Sequence, residues 1–255
     1  MPSRRFPLIL FIVFNLAVLM AAKSVSADVY ELRTYTTNED KLDNLHARFR
    51  DHTMRIFNRH GMKSVGYWVP TEKPKSQNTL IYVLKHTSPK SAEASWKAFR
   101  SDPEWQKVAR ESEVDGKILA KAPESLFMDA ADYSPKYKSD KTDDEVVFEL
   151  RIYRTNKGKL KNLDARFRDH TIGLFAKHGI RSVAYWHPVN EPDSTDTLIY
   201  IIRHDGRDAA KKSWQAFGSD PEWQKVARES QVDGRILRES PESIYMKATD
   251  YSAIK

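Results

Sequence analysis

Repetition constrains this chain more than any other feature. Tyr30-Glu31-Leu32-Arg33 returns as Phe148-Glu149-Leu150-Arg151, Arg48-Phe49-Arg50-Asp51-His52-Thr53 returns as Arg166-Phe167-Arg168-Asp169-His170-Thr171, and the run Ser101 to Ser112 returns unchanged as Ser219 to Ser230. The spacing is 118 positions each time, with no slip. So long a period excludes a solenoid and makes each copy a domain of roughly 105 residues. The boundaries fall at 28–134 and 146–255. Between them, 135–145 holds three lysines, three aspartates and almost nothing apolar, and reads as an exposed charged linker. Recent duplication also makes copies alike, so residues shared between them are weak evidence of function.

Residues 1–27 stand outside the repeat and read as a signal peptide. Arg4 and Arg5 precede an apolar run from Phe6 to Ala22, and Val25-Ser26-Ala27 places small residues where signal peptidase requires them. Cleavage leaves Asp28 first, a protein exported to the periplasm or beyond, and no stable membrane span. A retained anchor is the alternative. Removal takes away Arg4, Arg5 and Lys23 and no acid, so the net charge of +7 falls to +4, too small and scattered to predict a nucleic-acid partner. The chain has no cysteine, which excludes disulfides, thiolate metal sites and cysteine nucleophiles.

Each copy predicts strand, helix, strand, strand, helix, strand. Val29 to Tyr35 alternates, with Tyr30, Leu32 and Thr34 on one face and Glu31, Arg33 and Tyr35 on the other. Leu42, Leu45, Phe49, Ile56 and Phe57 follow helical spacing across Glu39 to His60, and Gly61 stands at the helix end. Ser64 to Pro70 and Thr79 to His86 are strands, Ser91 to Arg100 is helical, and Ser125 to Ala131 closes the unit. Ser101-x-x-Glu104 around Pro103 predicts a capping box opening a further helix that runs to about Val114. The order is that of a βαββαβ ferredoxin-like domain, an α+β fold. Thr79 to Leu84 and Thr197 to Ile202 are almost continuously apolar, as in strands buried on both faces. Helices cover one face only, so the two copies are expected to pack sheet to sheet as an intrachain pseudo-dimer.

These residues resemble the NIPSNAP family of the dimeric α/β-barrel superfamily. The resemblance rests on Tyr30-Glu31-Leu32-Arg33-Thr34-Tyr35, Arg50-Asp51-His52-Thr53, His60-Gly61, Gly66-Tyr67-Trp68 and Asp102-Pro103-Glu104-Trp105, and on their counterparts in the second copy. It covers nearly the whole chain after residue 27, twice. It implies a pseudo-dimeric α/β barrel made from two ferredoxin-like halves, and a pocket, but no defined reaction. Cofactor-free monooxygenases and haem proteins occur in related barrel families, and likeness of fold alone does not transfer their activities. The exported tandem form departs from the mitochondrial and vesicle-traffic roles associated with eukaryotic members.

Several side chains are candidates for chemistry. Counted at 100° per residue, His52 and His170 fall at the edge of the apolar stripe and are expected to face the helix–sheet interface, as catalytic acid–base groups or as hydrogen-bonded core histidines. His60 and His178, next to glycine, are expected to cap helix-end carbonyls. The eight-residue separation of His52 and His60 does not suit a metal, and His86 and His204 add little to a metal reading. Arg48, Tyr67, Trp68 and Trp105, with Arg166, Tyr185, Trp186 and Trp223, are expected to line aromatic ligand pockets. Glu31, Arg33, Tyr35, Glu149, Arg151 and Tyr153 are expected in the barrel interior, either as a polar-ligand site or as ion pairs that fix the two sheets.

No phosphate loop, nucleophile elbow or zinc-protease motif is present in the sequence. The favoured reading is a binder of a small aromatic or apolar molecule, with histidine acid–base or cofactor-free oxygen chemistry if it is an enzyme. The alternative is a non-enzymatic protein-interaction or self-assembly module, and further oligomerisation fits either. No cofactor is predicted, with haem held by one histidine as the outlying alternative.

Overall fold

The computed structural model describes residues 28–136 and 145–255. The leader and most of the linker lie outside the described residues. The first half runs β1 (Val29–Thr36), α1 (Leu42–Arg48), a π-helical turn (Phe49–Thr53), α2 (Met54–Arg59), β2 (Lys63–Pro70), β3 (Thr79–His86), α3 (Pro89–Ser101), α4 (Pro103–Glu111) and β4 (Glu124–Ala130). The second half repeats it as β5 (Val147–Arg154), α5 (Leu160–Arg166), a π-helical turn (Phe167–Thr171), α6 (Ile172–Lys177), β6 (Arg181–Pro188), β7 (Thr197–His204), α7 (Arg207–Ser219), α8 (Pro221–Glu229) and β8 (Glu242–Ala248).

The strands close into one antiparallel barrel in the order β1-β3-β2-β8-β5-β7-β6-β4. Each half contributes a ferredoxin-like sheet, and two short seams join them, Trp68–Pro70 against Met246–Ala248 and Met128–Ala130 against Trp186–Pro188. Four antiparallel steps separate β1 from β5, so both run in the same direction and the pseudo-twofold axis lies along the barrel.

The expectation of doubly buried central strands is met. β7 is buried at every position and β3 at all but one. Alternate residues of these strands enter two different cores. Ile81, Val83, Ile199 and Ile201 fill the lumen with Leu32, Trp68, Phe148 and Trp186. Leu80, Tyr82 and Leu84 face outward onto Phe49, Phe57, Trp96 and Phe99 of the helices, and the second half repeats this. An eight-stranded barrel is just wide enough to be filled by side chains, which makes the lumen an apolar core.

This arrangement corrects the expected placement of Glu31, Arg33 and Tyr35, and of Glu149, Arg151 and Tyr153. They lie on the helix-facing side, because the lumen is filled by the opposite face of each strand and the helices carry donors for the polar residues. The cap of α4 also differs from the expectation. Helix α3 continues through Ser101, and Asp102, in extended backbone, accepts from the Glu104 amide at 2.9 Å. A reciprocal capping box occurs instead at Ser88 and Ser91, where α3 begins.

The chain ends are exchanged between the halves. Beyond β8, the Thr249 amide donates to the Tyr67 carbonyl at 3.0 Å, the Tyr67 amide donates to Ser252 Oγ at 3.0 Å, and Arg50 grips Asp250 through two bonds of 2.7 and 2.8 Å. Beyond β4, Ser134 Oγ accepts from the Tyr185 amide at 2.9 Å, Tyr133 donates to Asp164 at 2.7 Å, and Arg168 holds Asp132. Each half is thus completed by a segment that follows the last strand of the other.

Candidate functional site

The π-helical turn decides which side chains of the first helix reach the interior. A five-residue turn inserts one residue into the 3.6-residue period and rotates everything after it. Arg48 and Arg166, just before the turn, are buried, 5% and 6% exposed. His52 and His170, within it, are exposed. The expectation that both histidines face the sheet is therefore corrected, since uniform helical counting does not see the extra residue. Thr53 and Thr171, also within the turn, are buried and donate to the carbonyls of Arg48 and Arg166 at 3.0 Å.

His60 and His178 do not cap carbonyls. Each bonds through Nε2 to an aspartate that caps the last helix of its half, Asp102 of α4 at 2.7 Å and Asp220 of α8 at 2.6 Å. Gly61 and Gly179, with φ of +79° and +75°, turn the chain away from the helix end. The hydrogen bonds from His60 and Arg59 hold the Asp102 carboxyl well below the usual carboxylate range.

The polar residues of β1 form a closed cluster. The Glu31 carboxylate, 1% exposed, accepts from Trp96 Nε1 at 2.7 Å, Ser125 Oγ at 2.6 Å, His86 Nε2 at 3.0 Å and the Arg33 guanidinium. Glu149 repeats this with Trp214, Ser243, His204 and Arg151. Burial pushes both carboxyls up, but the hydrogen bonds and the neighbouring guanidinium outweigh it and hold each at about 2. The guanidinium of Arg33 also lies over the Trp96 ring at 4.2 Å. With its acceptors filled, the cluster fastens β1 to α3, β3 and β4. The ion pair expected between the two sheets instead forms along a single strand, Glu31 with Arg33 on β1 and Glu149 with Arg151 on β5, and the indole N–H joins it to the helix.

Beside a polar surface groove of about 320 Å³ lined by His46, Arg50, Lys247 and Asp250, three spaces among the described residues could admit a ligand. One of about 270 Å³ lies between the sheet and the helices of the second half, walled by Tyr153, Phe167, Phe175, Phe217 and Trp223, with Arg166 on its surface. A groove of about 200 Å³ lies on the other side of Arg166 and is lined by Asn162, Asp169, His170, Glu229 and Ser230. The third, about 520 Å³, is the open end of the lumen, with Leu32, Ile81, Leu126, Leu150 and Ile152 beneath a rim of threonines and charged residues. No histidine lines the aromatic cavity or the lumen end. Among the described residues, no group of three or more histidines and acids is placed to hold a metal ion.

The residues expected to line aromatic pockets divide among these environments. Arg166 and Trp223 meet at the aromatic cavity, with the guanidinium 5.4 Å from the indole centroid, and Arg48 and Trp105 repeat that contact in the first half. Tyr67 and Tyr185 are sealed behind the helices, where their hydroxyls bond Ser64 and Ser182. Trp68 and Trp186 are packed in the lumen against Phe148 and Tyr30.

Sequence reasoning overlooked one pair, Glu113 and Gln231, which stand at equivalent positions. Glu113 Oε1 lies 3.4 Å from Arg48 Nη1 and accepts from the Ile118 amide at 3.3 Å. Gln231 accepts from the Ile236 amide at 3.2 Å and donates to the Ala227 carbonyl at 2.8 Å, so it fills the same place without the charge. The signal was available as one difference within a closely matching stretch, Glu111-Ser112-Glu113-Val114-Asp115-Gly116 against Glu229-Ser230-Gln231-Val232-Asp233-Gly234.

The sequence profile of the NIPSNAP family matches this chain twice, over residues 30–135 and 148–253. Among solved structures, a protein of Fusobacterium nucleatum described as a "Putative monooxygenase" is similar at 10% identity and a TM-score of 0.56, over 88% of this chain and 93% of its own. An anthrone oxidase-like protein is similar at 12% identity and a TM-score of 0.57, over 89% and 94%. At such identities the likeness is one of fold. No protein of curated function matches the chain.

Proposed function

The chain belongs to the NIPSNAP family, and from that premise we propose that it binds a small aromatic or apolar molecule in the cleft between the sheet and the helices of its second half. One observation carries this reading: a cavity of about 270 Å³ walled by Tyr153, Phe167, Phe175, Phe217 and Trp223, close to the size of a compact ligand site. Five aromatic rings offer a planar molecule stacked and edge-on contacts at little conformational cost. Arg166, Thr171 and Gln231 border the aromatic walls, with Arg235, Glu239 and Ser240 exposed at the edge, and such groups suit orientation of a ligand. His170 lies in the outer groove, on the far side of Arg166, so binding is favoured over histidine-based turnover.

Titration with 2-naphthol, read by quenching of tryptophan emission, tests the proposal. Saturable quenching is expected with one site per chain, lost in Ala227→Trp, which fills the cavity from α8. Quenching that never saturates, or that survives the filled cavity, overturns it. Export is a separate proposal that rests on the sequence of residues 1–27: they direct secretion, and Edman sequencing of the exported protein should begin at Asp28.

A further inference from the structure

We propose that the second half takes its ligand as an anion, an aromatic or apolar carboxylate whose charge is met by Arg166, and that the first half has closed the equivalent position to such ligands with its own Glu113. The inference rests on the reading of the second-half cleft as a ligand site and adds the charge and the asymmetry.

Arg166 is 6% exposed, and no acid pairs with it among the described residues. Its one side-chain hydrogen bond there runs from Nη1 to Ser230 Oγ at a long 3.4 Å, and its Nε–H is buried with no partner. A buried guanidinium without a counter-ion is costly, and the cost is relieved when an anion arrives. Arg48 has the same burial, the same serine and the same indole, and it has a carboxylate within ion-pair distance, Glu113. At the arginine itself the two halves therefore differ by one carboxylate, while at the outer edge of the cavity Glu239 stands where the first half has Lys121.

The acids near Arg166 are otherwise engaged or apart. Glu239 borders the cavity, half exposed, and pairs with Arg154 and Arg238. Asp169 and Glu229 border the outer groove, and Glu229 faces Lys225 along its own helix. Neither makes an ion pair with Arg166. The ligand's body would lie among Phe167, Phe175, Phe217 and Trp223, with its carboxylate in bidentate or single contact with the guanidinium, the pairing for which arginine is best shaped.

The test compares 2-naphthoate with neutral 2-naphthamide by calorimetry on the intact chain, in wild type, Gln231→Glu and Ala227→Trp. Gln231→Glu is a gentle probe, because the first half already accommodates glutamate at this position. The carboxylate should bind one site per chain, about 10-fold or more tighter than the amide, as expected for a charge-assisted hydrogen bond. Gln231→Glu should weaken naphthoate by a similar factor while leaving naphthamide unchanged, and Ala227→Trp should abolish both. Equal affinities in wild type, unmoved by Gln231→Glu, would overturn the anion inference and leave the cleft reading standing. Binding of neither probe at about 1 mM, or binding that survives Ala227→Trp, would overturn the cleft reading and this inference with it.

Discussion

Glu149 Oε2 accepts the indole N–H of Trp214 at 2.8 Å, tying the central strand β5 to helix α7 across the buried layer of the second half. Glu31 and Trp96 do the same in the first half at 2.7 Å. Both glutamates are ionised inside the protein, and their environment holds them at about 2 against an ordinary 4.5. A depressed carboxyl contributes stability that is complete above the unfolded value and is lost as pH falls through the folded one. Denaturant-derived stability should therefore drop between about pH 4.5 and 2, by roughly 3 kcal/mol for each glutamate. Glu31→Gln should cost roughly 3–5 kcal/mol near neutrality by leaving Arg33 buried without its partner. It should also flatten that acid limb. An unchanged limb would show that the cluster is not the source of the acid sensitivity.

Gly66 lies directly against the Trp68 indole, so a methyl group there would overlap the ring. The second half carries Ala184 at the equivalent position, beside Trp186, which packs with Tyr30 while Trp68 packs with Phe148. Gly66→Ala should destabilise by about 1–3 kcal/mol as the indole is forced to move, and Ala184→Gly should cost less than about 1 kcal/mol. Thermal unfolding of the two variants checks the contrast.

His52 and His170 are exposed and outside every core cluster. His52→Ala and His170→Ala should each shift stability by no more than about 0.5 kcal/mol, measured by urea unfolding. Retained 2-naphthol affinity in both variants would separate the binding cleft from the histidines that first drew attention. A large loss in either would return that histidine to the site.

Ending the chain at Ala248 removes Thr249 and Ser252, which satisfy both backbone groups of Tyr67, and Tyr251, whose hydroxyl meets His46 Nδ1 at 2.7 Å. The loss of two buried hydrogen bonds and a half-buried ring should cost roughly 2–4 kcal/mol. Damage should appear in the first half although the deletion is in the second. Hydrogen exchange at the β2 and β3 amides reads this directly.

The repeat, the βαββαβ order and the strand boundaries were legible because each follows from local periodicity. Thr79–His86 emerges with the expected limits. Facing was harder to read. On β1 the apolar face fills the lumen, while Glu31 is satisfied by Trp96, His86 and Ser125, donors far along the chain that no local pattern connects to it. The π-helical turn was invisible for a related reason, since one inserted residue leaves the helical composition intact and changes only the phase after it. Arg166 and Trp223 stood out only as two of eight residues expected to line aromatic pockets, and the meaning of Gln231 required knowing which arginine its twin Glu113 pairs with.

The joined halves have one consequence for how such a protein can change. In a barrel assembled from two identical subunits, every substitution is made twice, and a site cannot be altered on one side of the axis alone. Here both sides are encoded in one chain, and their exchanged ends keep them together. One side can keep a carboxylate as a fixed strut against its arginine while its twin, with glutamine at that place, is free to change in another direction.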